Sequence, residues 1–458
     1  MPSDKILSLH RNFHVRFQGK SFAAERLEPI LNALCHRLQI MGLKPGGVLA
    51  SAASYSWLNT LLLFALPRMG CMFFPFDPAL PESKREKLLS AAGAQLVLFD
   101  DHCLDQLELL PETARPGQPL PPDAVRILLA TSGTQGAPRL VELTGKNLLG
   151  SVLASCRRLE LTPADVWLAS LPLHHIGGLS ILLRCAQVGA EVVLMERFNP
   201  IDMFDALARY RATHLSLVPA MLVRLIETDP QFHPPASLRV VLLGGAAADA
   251  ALVEAALRQR WPVCPSYGLT ETASQVATLY PPPQKWIPGC AGFPLEHVEI
   301  SICPETHAIR VRGASVATHA RREDGRRTEL TDEQGWLMTG DAGWLDDLGQ
   351  LHITGRRDDV LITGGENIHP RMLEQELQHC PGIEDVAVSA IRDSVWGDAL
   401  VALYVGAANP DQVQAWARRN LQGAFLPKRY FKTNSLPRNA LGKLLRGEVK
   451  GRLQALNG

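Results

Sequence analysis

The sequence predicts an α/β protein: a large N-terminal domain of helix-flanked sheets with a β-rich subdomain, followed by a small α+β C-terminal domain. Three observations carry that expectation. At 458 residues the chain exceeds what one ordinary hydrophobic core encloses. Up to Gly289, short apolar runs alternate with helical patterns, which calls for parallel sheets covered by helices. After Gly289 the pattern turns to β-rich meanders and then to a compact α+β unit.

In chain order, residues 26–41 place apolar side chains at helical spacing, and 46–53 form a short apolar strand. The most apolar stretch, 57–76, is broken by Pro67, Arg68 and Gly70. It reads as buried helix, turn and strand, because a membrane span needs about 20 unbroken apolar residues. Helix 84–92 and strand 94–100 follow, and five prolines in 111–122 mark a surface connection before the strand at 126–130. The runs WLASLPL, AEVVLME, HLSLVPA and LRVVLLGGA are strands, with helices at 200–211, 220–227 and 248–260. HVEISICP, AIRVRG, GWLMTGD and GQLHITG make the β-rich part. Helix 371–378, strands EDVAVSAI and ALVALYV, and helix 410–421 make the last unit.

Composition excludes more than it identifies. Apolar residues make up 46% and charged residues 20%, as in ordinary globular proteins. Basic and acidic side chains number 46 each, so neither a nucleic-acid footprint nor an electrostatic membrane surface is expected. Nine cysteines stand singly, without a C-x-x-C pair or a zinc spacing, which suits reduced, mostly buried thiols. The N-terminal segment lacks an apolar signal core and a small-residue cleavage site. The expectation is a cytoplasmic protein with no stable membrane insertion.

Five segments carry candidate chemistry. Residues 131–139 read TSGTQGAPR directly after a strand, so small side chains, hydroxyls and backbone N–H groups can close on an anion such as a triphosphate. Alone, the segment suits a polar surface turn equally well. SYGLTET, 266–272, offers an aromatic face, room, a hydroxyl and a carboxylate for magnesium, which takes few protein ligands. TGD at 339–341 offers a carboxylate for ribose hydroxyls. GRRDDVLITGGENIHP, 355–370, is a charged turn followed by a glycine-rich loop. PRNALGK ends on Lys443, whose ammonium follows a flexible glycine and can reach a developing negative charge. Taken singly, each also has a plain structural reading.

In this order the five segments resemble the adenylate-forming superfamily of acyl-CoA synthetases, luciferases and peptide-synthetase adenylation domains, from about Pro45 to Lys443. The resemblance implies that an acid and ATP form an acyl-adenylate with Mg2+, and that coenzyme A, as co-substrate, then takes the acyl group. It implies a mobile C-terminal domain, with a division into 1–357 and 358–458 and a hinge at Asp358. It assigns Thr131, Ser132, Gly133, Thr134, Gly136 and Arg139 to the phosphate loop, and Gly244 and Ala246 to a strand end against which adenine and acid sit. Ser266, Tyr267 and Gly268 fall at the nucleotide, with the Tyr267 ring on adenine. Thr270 contacts the α-phosphate, and Glu271 binds the metal. Asp341 and Arg356 hold the ribose, Gly364, Gly365 and Glu366 line the thiol's path, and Lys443 is the catalytic lysine. Two positions depart from the pattern: Gln135 replaces the usual Thr, and Arg139 replaces Lys, exchanging a compact ammonium for a planar fork.

For the acid, residues 170–190 (SLPLHHIGGLSILLRCAQVGA) match the superfamily's pocket segment. His175, a further candidate catalytic group, holds the histidine position, and His174 stands where an aromatic is usual. As a metal pair the two lack a third ligand at suitable spacing. With HLSLVPAMLVRLI, VVLLGGAA and SYGLTETASQ, the segment resembles the o-succinylbenzoate–CoA ligase branch of menaquinone biosynthesis. A dicarboxylic acid leaves one unreacted carboxylate that needs a cation or several donors. Arg184, Ser180 and Thr272 are candidates, beside His175 and Gly178; a solvent-facing or acid-paired Arg184 is the plain alternative. Another aryl- or fatty-acyl-CoA ligase, an enzyme loading a carrier protein, and a silent acyl-nucleotide sensor are the competing readings. The expected partner is a small carboxylic acid and not a nucleic acid; a homodimer and a carrier protein stay open.

Overall fold

The computed structural model describes residues 9–52, 56–105, 120–131, 139–357, 359, 361–363, 366–368, 370–393, 397–422, 425–438, 442 and 444–457. Strand His214–Leu217 lies between the parallel strands Val166–Ala169 and Val240–Leu243, and Val263–Leu269 continues the parallel run. Val263–Leu269 then turns back antiparallel into Ser274–Thr278. From there the sheet passes through Cys290–Pro294, Leu351–Arg356 and Leu337–Leu345 into the β-rich part. Together these strands belong to a thirteen-strand sheet. A second, seven-strand sheet holds Val125–Thr131 and Arg139–Thr144 as an antiparallel pair.

Local chemistry sets the elements around these strands. Asn199 caps helix Pro200–Arg209 by accepting from the N–H groups of Ile201 and Asp202, and Pro200 opens its first turn. Thr144 and Asn147 form a capping box at the start of helix Gly145–Arg158. The apolar stretch at 57–76 is helix Ser56–Ala65, a short turn Leu66–Met69 closed by Gly70 with φ of 69°, and strand Met72–Phe76. Among the described residues no helix is long and apolar enough to cross a membrane. All nine cysteines are free and eight are buried.

The C-terminal part has its own core, in which Leu373, Val386, Val388, Leu400, Tyr404 and Val413 pack together. Its sheet comprises Ile383–Asp393, Gly397–Gly406 and Arg429–Lys432. The last strand and helix Arg446–Asn457 add to the elements expected from the sequence, as do helices Gly145–Arg158 and Ile176–Val188.

Candidate active site

A cavity of about 360 Å³ opens beyond the C-terminal ends of Val240–Leu243 and Val263–Leu269, where ligands of open α/β sheets gather. Ala246, Ser266, Tyr267 and Gly268 line one side, and Asp341 and Arg356 another. The two strand ends meet closely: Ser266 Oγ donates to the Leu243 carbonyl at 3.0 Å, and a Cβ on Gly244 would stand 2.7 Å from that hydroxyl. The Tyr267 hydroxyl donates to Asp341 Oδ2 at 2.8 Å. Burial, and then the Asp341 charge, push its phenol well above the ordinary 10.0, so it remains a donor. Asp341 and Arg356 face each other across neighbouring strands, with Oδ1 and Nε 3.5 Å apart. The aromatic platform and the ribose carboxylate expected from separate motifs are therefore one hydrogen-bonded unit.

Glu271 sits in the short turn Thr270–Thr272 and accepts from Arg139 Nη2 at 2.8 Å. Arg139 and Thr131 are cross-strand partners on either side of residues 132–138. Thr131 Oγ and Arg139 Nε are buried and have no hydrogen-bond partner among the described residues. Donors of this kind beside a carboxylate fit a site that would hold a phosphate and a cation together. Ser132, Gly133, Thr134, Gly136, Asp358, Gly364, Gly365 and Lys443 lie outside the described residues, as does the side chain of Glu366.

The candidate acid-binding residues depart from expectation in three places. Thr272 is wholly buried, and its hydroxyl bonds the backbone of Leu269 and Ser274 at 3.0–3.1 Å, so it braces the turn and is closed to an acid. A Cβ on Gly178 would stand 2.4 Å from the Pro172 carbonyl; the glycine allows helix Ile176–Val188 to pack on its own entry loop. Arg184 is 1% exposed and does not line the cavity. Its Nη2 donates to Ser274 Oγ at 3.0 Å, its guanidinium carbon lies 5.6 Å from the Trp167 ring centroid, and Nε and Nη1 have no hydrogen-bond partner among the described residues. Burial lowers its pKa to about 10, so it stays a cation at neutral pH. Ser180 donates to the Gly177 carbonyl at 3.1 Å. His175, the residue before that helix, is pushed down to about 4, first by burial and then by His174, whose ring centroid is 4.2 Å away. It is neutral at pH 7.

The AMP-binding enzyme family profile matches residues 11–314, and that of the AMP-binding enzyme C-terminal domain matches 372–443. The chain is an AMP-binding enzyme. The 2-succinylbenzoate–CoA ligase of Bacillus velezensis is 36% identical to it over 391 residues, covering 80% of each chain. That of Listeria monocytogenes serotype 4b is 32% identical over 449 residues, covering 95% of each. O-succinylbenzoate CoA synthetase from Bacillus subtilis, in complex with the acyl-adenylate intermediate OSB-AMP, superposes with a TM-score of 0.85 at 28% identity, over 95% of this chain and 94% of that one. The same protein in complex with ATP and magnesium ion gives 0.84 at 29% identity, over 95% and 96%. This AMP-binding enzyme is an AMP-forming acid–thiol ligase.

On the far side of the cavity this AMP-binding enzyme carries residues that sequence motifs did not single out. Arg371 donates to the Ala248 carbonyl at 2.9 Å, tying helix Pro370–Gln378 to the loop after Val240–Leu243. Arg446 pairs with Asp359 at 2.8 Å and with both oxygens of Glu374 at 2.8 and 2.9 Å. Arg438 pairs with Asp385 and donates to the Gly442 carbonyl at 2.8 Å. Their signal in the sequence was only a single charge, which a solvated surface gives as readily.

Proposed function

We propose that this AMP-binding enzyme is an ATP-dependent 2-succinylbenzoate–CoA ligase, acting in the cytoplasm with ATP, Mg2+ and coenzyme A. The observation that carries the substrate is the likeness to ligases of that acid over 95% of the chain. The nine free thiols support the compartment.

In this reading one carboxylate oxygen of the acid attacks the α-phosphorus of ATP, the bond to the β-phosphate oxygen breaks, and pyrophosphate leaves. The thiol sulfur then attacks the acyl carbon, its proton departs, and AMP leaves. Thr131, Ser132, Gly133, Thr134, Gly136 and Arg139 hold the phosphates. Tyr267 and Asp341, already joined, present one face to adenine and ribose beside Gly244, Ala246 and Arg356. Thr270 donates to the α-phosphate. Glu271 holds Mg2+, which supplies neutralisation of phosphate charge when bound. Lys443 stabilises the charge gathering on the α-phosphate. Neutral His175 lies at the acid without competing for its carboxylate. Arg184 supplies positive potential from behind the cavity wall, through low-dielectric protein, to the carboxylate that does not react. Gly364, Gly365 and Glu366 line the thiol's path, and the chain divides into 1–357 and 358–458 at the Asp358 hinge.

The experiment is thioester formation with ATP, Mg2+ and coenzyme A across a panel of aromatic, fatty and dicarboxylic acids. AMP release and a 2-succinylbenzoyl-CoA product are expected. Preference for a fatty or simple aryl acid removes the substrate, and acyl transfer only to a carrier protein removes coenzyme A.

A further inference from the structure

We propose that Arg371 is a positioning residue for adenylation: its bond to the Ala248 carbonyl seats the C-terminal unit so that Lys443 reaches the cavity, and the bond opens before the thiol attacks. The proposal rests on the role given above to Lys443. Arg371 stands in the first turn of helix Pro370–Gln378. Ala248 precedes Asp249, which caps helix Ala250–Arg258 by accepting from the Ala251 N–H at 2.7 Å. Two helix N-termini therefore come together with a guanidinium between them. Each presents the positive end of its dipole, so neither helix gains from an arginine there. Burial also holds the Arg371 pKa below the ordinary arginine value, against the pull of the Glu374 and Asp249 charges. The side chain is not there for its own helix. What it gains is a hydrogen bond of 2.9 Å to a carbonyl 123 residues away, which a planar fork on a long stem can make across a seam.

The contact is transmitted to the residues beside the lysine. Arg446 joins Glu374, on the same helix as Arg371, to Asp359 with bonds of 2.8 and 2.9 Å. Arg438 donates to the Gly442 carbonyl at 2.8 Å and to both oxygens of Asp385, and the Leu445 N–H donates to the Pro437 carbonyl at 2.9 Å. Gly442 and Leu444 are thus fixed to the unit that carries helix Pro370–Gln378. On the opposite side Gly442 abuts Ala220, in the first turn of helix Pro219–Thr228. With φ of 75°, a Cβ on Gly442 would stand 2.3 Å from the Ala220 Cβ, so only glycine fits. Ala220 and Ala248 follow the neighbouring parallel strands His214–Leu217 and Val240–Leu243. The C-terminal unit is therefore seated at two points on one end of the sheet, by close packing at Gly442 and by a hydrogen bond at Arg371. Seated so, Gly442 lines the same cavity as Tyr267 and Asp341, where charge gathering on a phosphate would meet the next residue's ammonium. Thiol attack needs that space, so the seat has to release once the adenylate has formed. A contact made and broken in every cycle cannot be strong, and one guanidinium bond at two positive helix ends is not.

Arg371→Ala, Arg371→Lys and Ala220→Leu are assayed in the two half-reactions separately, with melting temperatures on the same samples. Acid-dependent pyrophosphate exchange reads adenylation, and thioester formation from supplied acyl-adenylate and coenzyme A reads the second step. Arg371→Ala is expected to slow exchange about tenfold, the loss of one charged hydrogen bond, with KM for ATP and for the acid unchanged. Thioester formation runs at the parent rate or faster, because the orientation it needs loses a competitor. Arg371→Lys keeps a charged donor and recovers most of the exchange. Ala220→Leu crowds Gly442 from the other side and repeats the selective loss. Equal losses in the two half-reactions, a raised KM for ATP at an unchanged maximal rate, an unchanged exchange rate, or a melting temperature well below the parent's in Arg371→Ala overturns the proposal. Lys443→Ala, run alongside, separates the levels. Exchange lost there and kept in Arg371→Ala removes Arg371 alone, whereas exchange kept in Lys443→Ala removes the lysine's role beneath it.

Discussion

Glu271 meets Arg139 at 2.8 Å, so the turn and the strand hold each other's charge. A metal ligand at Glu271 gives a specific expectation for Glu271→Gln: slower adenylation and a higher Mg2+ concentration for half-maximal rate. Titrating rate against Mg2+ checks it, and an unchanged midpoint would leave the carboxylate a structural partner of Arg139. Lys443→Ala is expected to slow adenylate formation by roughly 3–4 kcal/mol of barrier, while thiolation of supplied acyl-adenylate stays near normal. Equal losses in the two half-reactions would contradict the role given to the ammonium. The buried imidazoles give a pH dependence. His175 and His214 are each pushed from the ordinary 6.5 down to about 4, with burial the first cause. Both bind a proton more readily in the unfolded chain, so their contribution to stability is whole above pH 6.5 and falls as pH drops towards 4. Replacing His214 by Gln should flatten that part of a stability–pH curve, read by denaturant unfolding at each pH.

At the scale of elements, the turn from Tyr267 to Ser274 does the most with the fewest residues. It follows a strand, breaks register between Tyr267 and Gly268, and reverses into Ser274–Thr278. Gly268 permits this, because a Cβ there would stand 2.0 Å from the Ser274 oxygen. Gly268→Ala is therefore expected to cost about 1–3 kcal/mol of stability and to impair adenylation, a loss that thermal melting and pyrophosphate exchange would register together. The sequence makes the motif legible as a cluster of chemical types, and its strands at 240–243 and 351–356 follow from apolar runs and turn glycines. What it does not reveal is which hydroxyl faces a ligand and which the fold consumes. Thr270 and Thr272 look equivalent on paper, yet Thr272 spends its hydroxyl on Leu269 and Ser274. Helix Ile176–Val188 was hidden for a related reason: it is buried almost all round, so no polar stripe marks its period.

For the whole molecule, the alternation of strands and helices and the late change to meanders gave the architecture, since both follow from local periodicity. The closing contacts did not, because ion pairs between distant segments have no period. Arg184 is legible as a cation near the acid segment, but its depth is not: the helix and strands packed around it bring Cys156, Trp167 and Ser274, the last of them 90 residues along the chain. In the proposed function this assembly activates an acid by adenylation, and the acid is 2-succinylbenzoate. Exchange of labelled pyrophosphate into ATP, measured without coenzyme A as the acid is varied, tests it most directly. Exchange is expected to depend on 2-succinylbenzoate and to exceed that with either analogue lacking one carboxyl. No exchange with any acid would contradict the adenylation itself, and equal exchange with the analogues would contradict the dicarboxylate.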